Sequence, residues 1–102
     1  MTTALELLQG GRARMAEGYL VKHRFDDGEG GYCALGALDL SIKDSWTVTQ
    51  DATTALYEAS QELFPERGST VIRVSDNPAT IKEDVLVIYD RAIEILKEQD
   101  AS

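Results

Sequence analysis

The stretch Thr80–Gln99, TIKEDVLVIYDRAIEILKEQ, decides the fold. Its apolar residues recur at Ile81, Val85, Ile88, Ala92 and Leu96, the spacing of one helical face, and Leu86, Tyr89 and Ile93 widen that stripe. Glu83, Asp90, Glu94 and Glu98 fall on the opposite face. Thr80-Ile-Lys-Glu83 fits a capping box, in which the threonine hydroxyl and the glutamate carboxylate each satisfy an unpaired N–H of the first turn. The spacing therefore predicts a helix from Thr80 to about Gln99 with one face that other elements must cover.

Those elements lie upstream. Ser75-Asp-Asn-Pro78 reads as a turn: Asp76 and Asn77 fold their side chains onto nearby backbone, and Pro78 biases Asn77 away from helix. Residues 70–74 read as a short strand. Before them, Ala52, Ala55, Leu56, Ala59 and Leu63 form a helical stripe of mostly small residues, so a helix is expected from about Thr49 to Leu63, ended by Pro65 and Gly68. Residues 43–48 then form a connection carrying Trp46. Tyr32–Ile42, YCALGALDLSI, is apolar on nearly every side of a helical projection and predicts a short buried helix. Asp26-Asp-Gly-Glu-Gly-Gly31 is turn chemistry, and Tyr19–Phe25 alternates well enough to predict a short strand. At the N-terminus, Thr3 and Glu6 form another capping box ahead of Leu5, Leu8, Arg12 and Met15. Gly10-Gly11 interrupts this helix. Either it ends near Gln9, or it runs to about Glu17 with another backbone close by at the glycines, and Gly18 stops it.

The sum is an α+β, mainly helical fold: about four helices with one or two short strands in a single domain spanning residues 1–102. The expected core is Leu5, Leu8, Cys33, Leu35, Ala37, Leu38, Leu56, Ala59, Leu63, Val85, Ile88, Ala92 and Leu96.

Composition narrows the function classes. The chain has 102 residues, ten Lys and Arg against eighteen Asp and Glu, and a formal net charge of −8. Charge is uneven: residues 1–25 carry four bases and two acids, a net of +2, and residues 26–102 carry six bases and sixteen acids, a net of −10. A surface of that sign repels a phosphate backbone and argues against direct nucleic-acid binding. It suits a partner protein with a basic surface, or serves solubility alone. No apolar run is long enough to span a bilayer, and the N-terminus lacks the basic region of a signal peptide, so a cytoplasmic location is expected. The single cysteine excludes an internal disulfide framework.

Chemistry has few places to sit. Cys33 follows two glycines near the start of a predicted helix, where a thiolate is favoured. With His23 as base and Asp76 or Asn77 as orienter, it would complete the set a cysteine-dependent hydrolase or transferase needs. Against this, Cys33 sits in the most apolar stretch of the chain, where a free cysteine behaves as core filler. Asp26, Asp27 and Glu29 lack the alternating ligand spacing of a calcium loop, and no glycine-rich phosphate loop is present, so neither a metal nor a cofactor is expected.

Several of these motifs are similar to those of an uncharacterised family of small actinobacterial and actinobacteriophage proteins. Gly31, Cys33, Gly36 and Ala37 match its G-x-C-x-x-G-A motif, and Gly18-Tyr19 stands where its first aromatic falls. Ser75-Asp76-Asn77-Pro78, followed by Thr80, Asp84, Val85 and Leu86, resembles its late motif with the order altered. The resemblance implies a shared fold and a phage or prophage origin, and it brings no established activity.

The sequence thus favours a small acidic, non-enzymatic module that binds another protein, with a host protein as the partner if the phage likeness is followed. Its candidate binding residues are Trp46, Tyr57, Val87 and Tyr19; Val87 is an apolar side chain on the polar face of the last helix. The alternative is the cysteine enzyme of Cys33, His23 and Asp76 or Asn77. Oligomeric state is left open.

Overall fold

The computed structural model describes residues 3–38 and 46–101. Helix α1 (Ala4–Glu17) opens on the expected capping box: the Thr3 hydroxyl accepts from Glu6 N–H and the Glu6 carboxylate accepts from Thr3 N–H. It passes through the two glycines without ending. The reason lies across the core, where a Cβ on Gly11 would stand 2.6 Å from the Tyr89 ring, so glycine lets α1 close on the last helix. Gly18 ends α1, as read.

Helices α2 (Trp46–Leu63) and α4 (Lys82–Ala101) complete the main packing, with α3 (Val71–Asp76) a short helix between them. Arg12 pairs with Asp90, and Lys82 reaches the carbonyls of Ala16 and Gly18, so α1 and α4 run antiparallel. The two Lys82 bonds also supply donors to the open C-terminal end of α1. One core cluster joins Leu8, Met15, Leu56, Ala59, Val85, Ile88, Tyr89 and Ala92 with the apolar residues around them. The fold is α+β and mainly helical.

Several sequence expectations are corrected. The strand predicted over 19–25 stops after two residues: β1 (Tyr19–Leu20) pairs in parallel with β2 (Gly31–Tyr32), an element not anticipated. Val21 N–H still donates to the Tyr32 carbonyl; beyond it the chain is pulled out of the sheet by the contacts of Lys22 and by a left-handed backbone at His23, φ 64°. The helix predicted from Tyr32 is a single 3₁₀ turn, Gly36–Leu38, because Tyr32 belongs to β2; its continuation through Ile42 lies outside the described residues. Residues 71–76 form α3, where a strand was expected. Thr70 accepts from Arg73 N–H as its cap, and the buried Val71, Val74 and Ser75 follow helical spacing, which so short a window cannot distinguish from alternation.

The start of α4 also differs. Thr80 does not cap it. Its hydroxyl turns inward and donates to the Val74 carbonyl at 2.6 Å, while the Asp84 carboxylate reaches back to Ile81 N–H at 3.1 Å. Ile81 therefore falls outside the core stripe and is 55% exposed, and Ile95 takes a core place not anticipated. Leu5, Leu35 and Leu63 are packed against the core but only half buried, with Leu7 buried beside them. Helix α2 begins at Trp46, three residues before the expected start.

Candidate functional site

Between α3 and the turn after β1 lies a cavity of about 560 Å³, lined by His23, Arg24, Phe25, Cys33, Ile72 and Asp76. Three of these are the cysteine, histidine and aspartate picked out from the sequence. Two others, Phe25 at 56% and Ile72 at 42%, are large apolar side chains left exposed at its wall.

Long-range polar contacts hold the 22–25 turn in place. The Lys22 ammonium donates to three carbonyls, Ser75 at 2.6 Å, Asn77 at 2.8 Å and Thr80 at 2.8 Å, so all three of its donors are used. These carbonyls belong to the end of α3 and the approach to α4, and burial there pushes the Lys22 pKa down. His23 N–H donates to Asp76 Oδ1 at 2.8 Å, and the His23 ring nitrogen Nδ1 lies 3.6 Å from Asp76 Oδ2. The left-handed backbone of His23 costs on the order of 1 kcal/mol, and the Asp76 contact of its own N–H together with the Lys22 contacts of the residue before it offset that strain. The result is a turn that directs Arg24 and Phe25 to the cavity.

The floor is built by the residues that carry the family-like motif. Cys33 N–H donates to the Phe25 carbonyl at 3.0 Å. That same carbonyl sits against Gly36, and a Cβ there would collide with it, so only glycine admits the turn. Ala34 N–H donates to the buried Ser75 hydroxyl at 2.9 Å, and the Ala34 carbonyl accepts from the Tyr89 hydroxyl, tying the floor to α3 and α4. Cys33 is 3% exposed. Its sulfur accepts from Gly36 N–H at 3.3 Å, and burial pushes the thiol pKa up, with the Asp76 charge acting in the same direction.

The structure thus gathers Cys33, His23 and Asp76 at one cavity but leaves Asn77 out. The Asn77 amide donates to the Arg67 carbonyl and accepts from Ala79 N–H, closing the turn as the sequence indicated. Asp76 departs from that reading: its carboxylate reaches across to His23 rather than to neighbouring backbone.

The binding candidates are scattered. Tyr57 on α2 is 47% exposed and Val87 on α4 is 46% exposed. Tyr19 lies in β1 with its hydroxyl donating to the Asp27 carboxylate. The Trp46 side chain lies outside what the structure describes. Asp26 and Asp27 are occupied locally, accepting from Gly28, Glu29 and Gly31 N–H groups.

Phe25, Ile72, Arg24 and Lys22 were not legible as a site. Phe25 and Ile72 each fell in a stretch read as strand, where an exposed apolar residue is unremarked. The one signal was position: Phe25 immediately precedes six residues of Asp, Gly and Glu, so no alternating partner follows it.

Among the described residues no helix is long and apolar enough to cross a membrane. Comparison with curated proteins and with solved structures finds no match. The model of a family of unknown function, DUF6197, matches residues 1–95, and the chain belongs to that family.

Proposed function

We propose that the protein is a non-enzymatic module that binds another protein, and that the 22–25 turn and α3 form its contact face. The observation that carries this reading is the cavity itself, with Phe25 and Ile72 standing exposed at its wall and a rigid floor beneath. Apolar side chains grouped around a preformed concavity are the usual anchor of a protein contact. Asp51, Glu58 and Glu83 are exposed and make no ion pair among the described residues, which supports a partner whose surface is basic outside this contact. The likeness of the motifs to actinobacteriophage proteins points to a host protein, met in the cytoplasm, as that partner.

The test is affinity capture from a lysate of the producing cell with wild type and a Phe25→Ser/Ile72→Ser double variant. A protein held by wild type and released by the folded double variant is the expected outcome. Equal recovery by both, or by neither, counts against the reading.

A second reading, a cysteine-dependent hydrolase or transferase, rests on the meeting of Cys33, His23 and Asp76 at the same cavity. Burial works against it, because the nucleophile must ionise and both burial and Asp76 oppose that at Cys33. Iodoacetamide labelling at neutral pH separates the two. Slow labelling of the folded protein with full labelling in denaturant is expected; rapid alkylation in the folded state would favour the enzyme.

A further inference from the structure

We propose that the cavity seats an apolar side chain of the partner with a carboxylate beside it, and that Arg24 receives the carboxylate. This rests on the binding reading above and names the chemistry the contact face selects.

In a chain of net charge −8, most cations of the described residues are already engaged. Arg12, Arg67 and Arg91 sit in ion pairs with Asp90, Asp84 and Glu62. Arg14, Lys22 and Lys82 donate to backbone carbonyls. Among the described residues this leaves Arg24, Arg73 and Lys97 with no side-chain partner. Of these three, Arg24 lines the cavity.

Among the described residues Asp76 alone brings a carboxylate to the lining of that cavity, and it does not neutralise Arg24. Asp76 is turned toward the 22–25 turn, with one oxygen accepting from His23 N–H and the other facing the His23 ring, and its side chain is only 20% exposed. Among the described residues the cavity therefore offers apolar walls, an unpaired guanidinium and no unpaired anion. A guanidinium with open donors matches a carboxylate in charge and in fork geometry. The acidic remainder of the molecule opposes an acidic ligand elsewhere, and at physiological salt its field is screened beyond about 8 Å, so the local cation decides at the cavity. The strained backbone of His23 is the independent mark of the place. It sets Arg24 and Phe25 next to each other at the cavity, and strain of this kind collects at ligand contacts.

The experiment uses the full chain, isotope-labelled, and two capped hexapeptides, one carrying phenylalanine followed by aspartate and its twin carrying lysine in place of the aspartate. Amide shifts are followed by NMR titration. The aspartate peptide is expected to move the signals of Arg24, Phe25 and Ile72 and to bind roughly fivefold or more tightly than its twin, the range for gaining one exposed ion pair and losing one repulsion. Arg24→Gln should bring the two peptides within about twofold of each other while both still move Phe25 and Ile72. Equal or tighter binding of the lysine twin, or a preference that survives Arg24→Gln, overturns the assignment. So does a failure of both peptides to move these signals, and the Phe25/Ile72 capture experiment then decides separately whether the binding reading falls with it.

Discussion

The three long helices and the 22–25 turn are held in place by different means. Helices α1, α2 and α4 meet through apolar stripes, with Leu8, Leu56, Ala59, Val85, Ile88 and Ala92 all buried. The 31–38 part of the 19–38 segment joins that core through Ala34, Ala37 and Leu38, but its 22–25 turn is held to the end of α3 and the approach to α4 by single polar contacts between residues far apart in sequence: Lys22 to three carbonyls and His23 to Asp76. Burial of a stripe is spread over many side chains and tolerates local change. A polar tie is one group wide, so its loss frees the whole turn it holds. The cavity lies on the side of the molecule built in the second way.

The comparison breaks most sharply if the stripe is cut. Leu8 is fully buried between α1 and its neighbours, and Leu8→Ala should cost about 2–5 kcal/mol, the range for removing a buried leucine and leaving a cavity. Chemical denaturation should show one earlier transition, with the 22–25 turn and α4 lost together. A cost below about 1 kcal/mol would place Leu8 outside the core.

Lys22→Met should act on the other half. It leaves the carbonyls of Ser75, Asn77 and Thr80 without their shared donor, a loss of about 1–3 kcal/mol that shrinks as water replaces the ammonium. Hydrogen exchange should quicken at residues 22–26 and 75–80 and stay slow in the middle of α1 and α4. Uniform quickening throughout would mean that the two halves unfold as one and that the distinction drawn here is not energetic.

This division also explains what the sequence could show. Periodicity reports apolar stripes, so α2, α4, the first half of α1 and most of the core were legible from spacing, while Gly10-Gly11 left the end of α1 open between Gln9 and Glu17. The cavity depends on where Lys22 finds acceptors more than fifty residues away, and no local pattern encodes that. The two misread strands have different causes. Residues 22–25 leave the sheet because of remote partners, and residues 71–76 are too short for alternation and helical spacing to separate. At Thr80 the capping box was matched in letters but lost to a competing acceptor, the Val74 carbonyl. Cys33, His23 and Asp76 were found because chemistry restricts which residues are worth asking about. Phe25, Ile72 and Arg24 were missed because apolar and cationic residues carry no such restriction.

The smallest effect tests a tie inside the polar half. The Tyr19 hydroxyl donates to the Asp27 carboxylate, which also accepts from the Glu29 and Gly31 N–H groups, and together these hold the Asp27 pKa below its usual range, with the tyrosine bond the largest cause. A carboxyl with a lowered folded pKa stabilises the fold above its unfolded value of about 3.9, and that stability is lost as pH falls through the folded value. The Tyr19 phenol is pushed up by the same bond, so its contribution is present below its ordinary pKa and fades in strong alkali. Tyr19→Phe should therefore lower Tm slightly at neutral pH, raise the Asp27 pKa in an NMR titration without restoring it fully, and leave the difference from wild type shrinking below about pH 4. The two backbone donors account for the part that is not restored. If the Tm difference stays constant through the acid range, the hydroxyl acts by packing alone, and the β1 end of this segment is held as the helices are rather than by a polar tie.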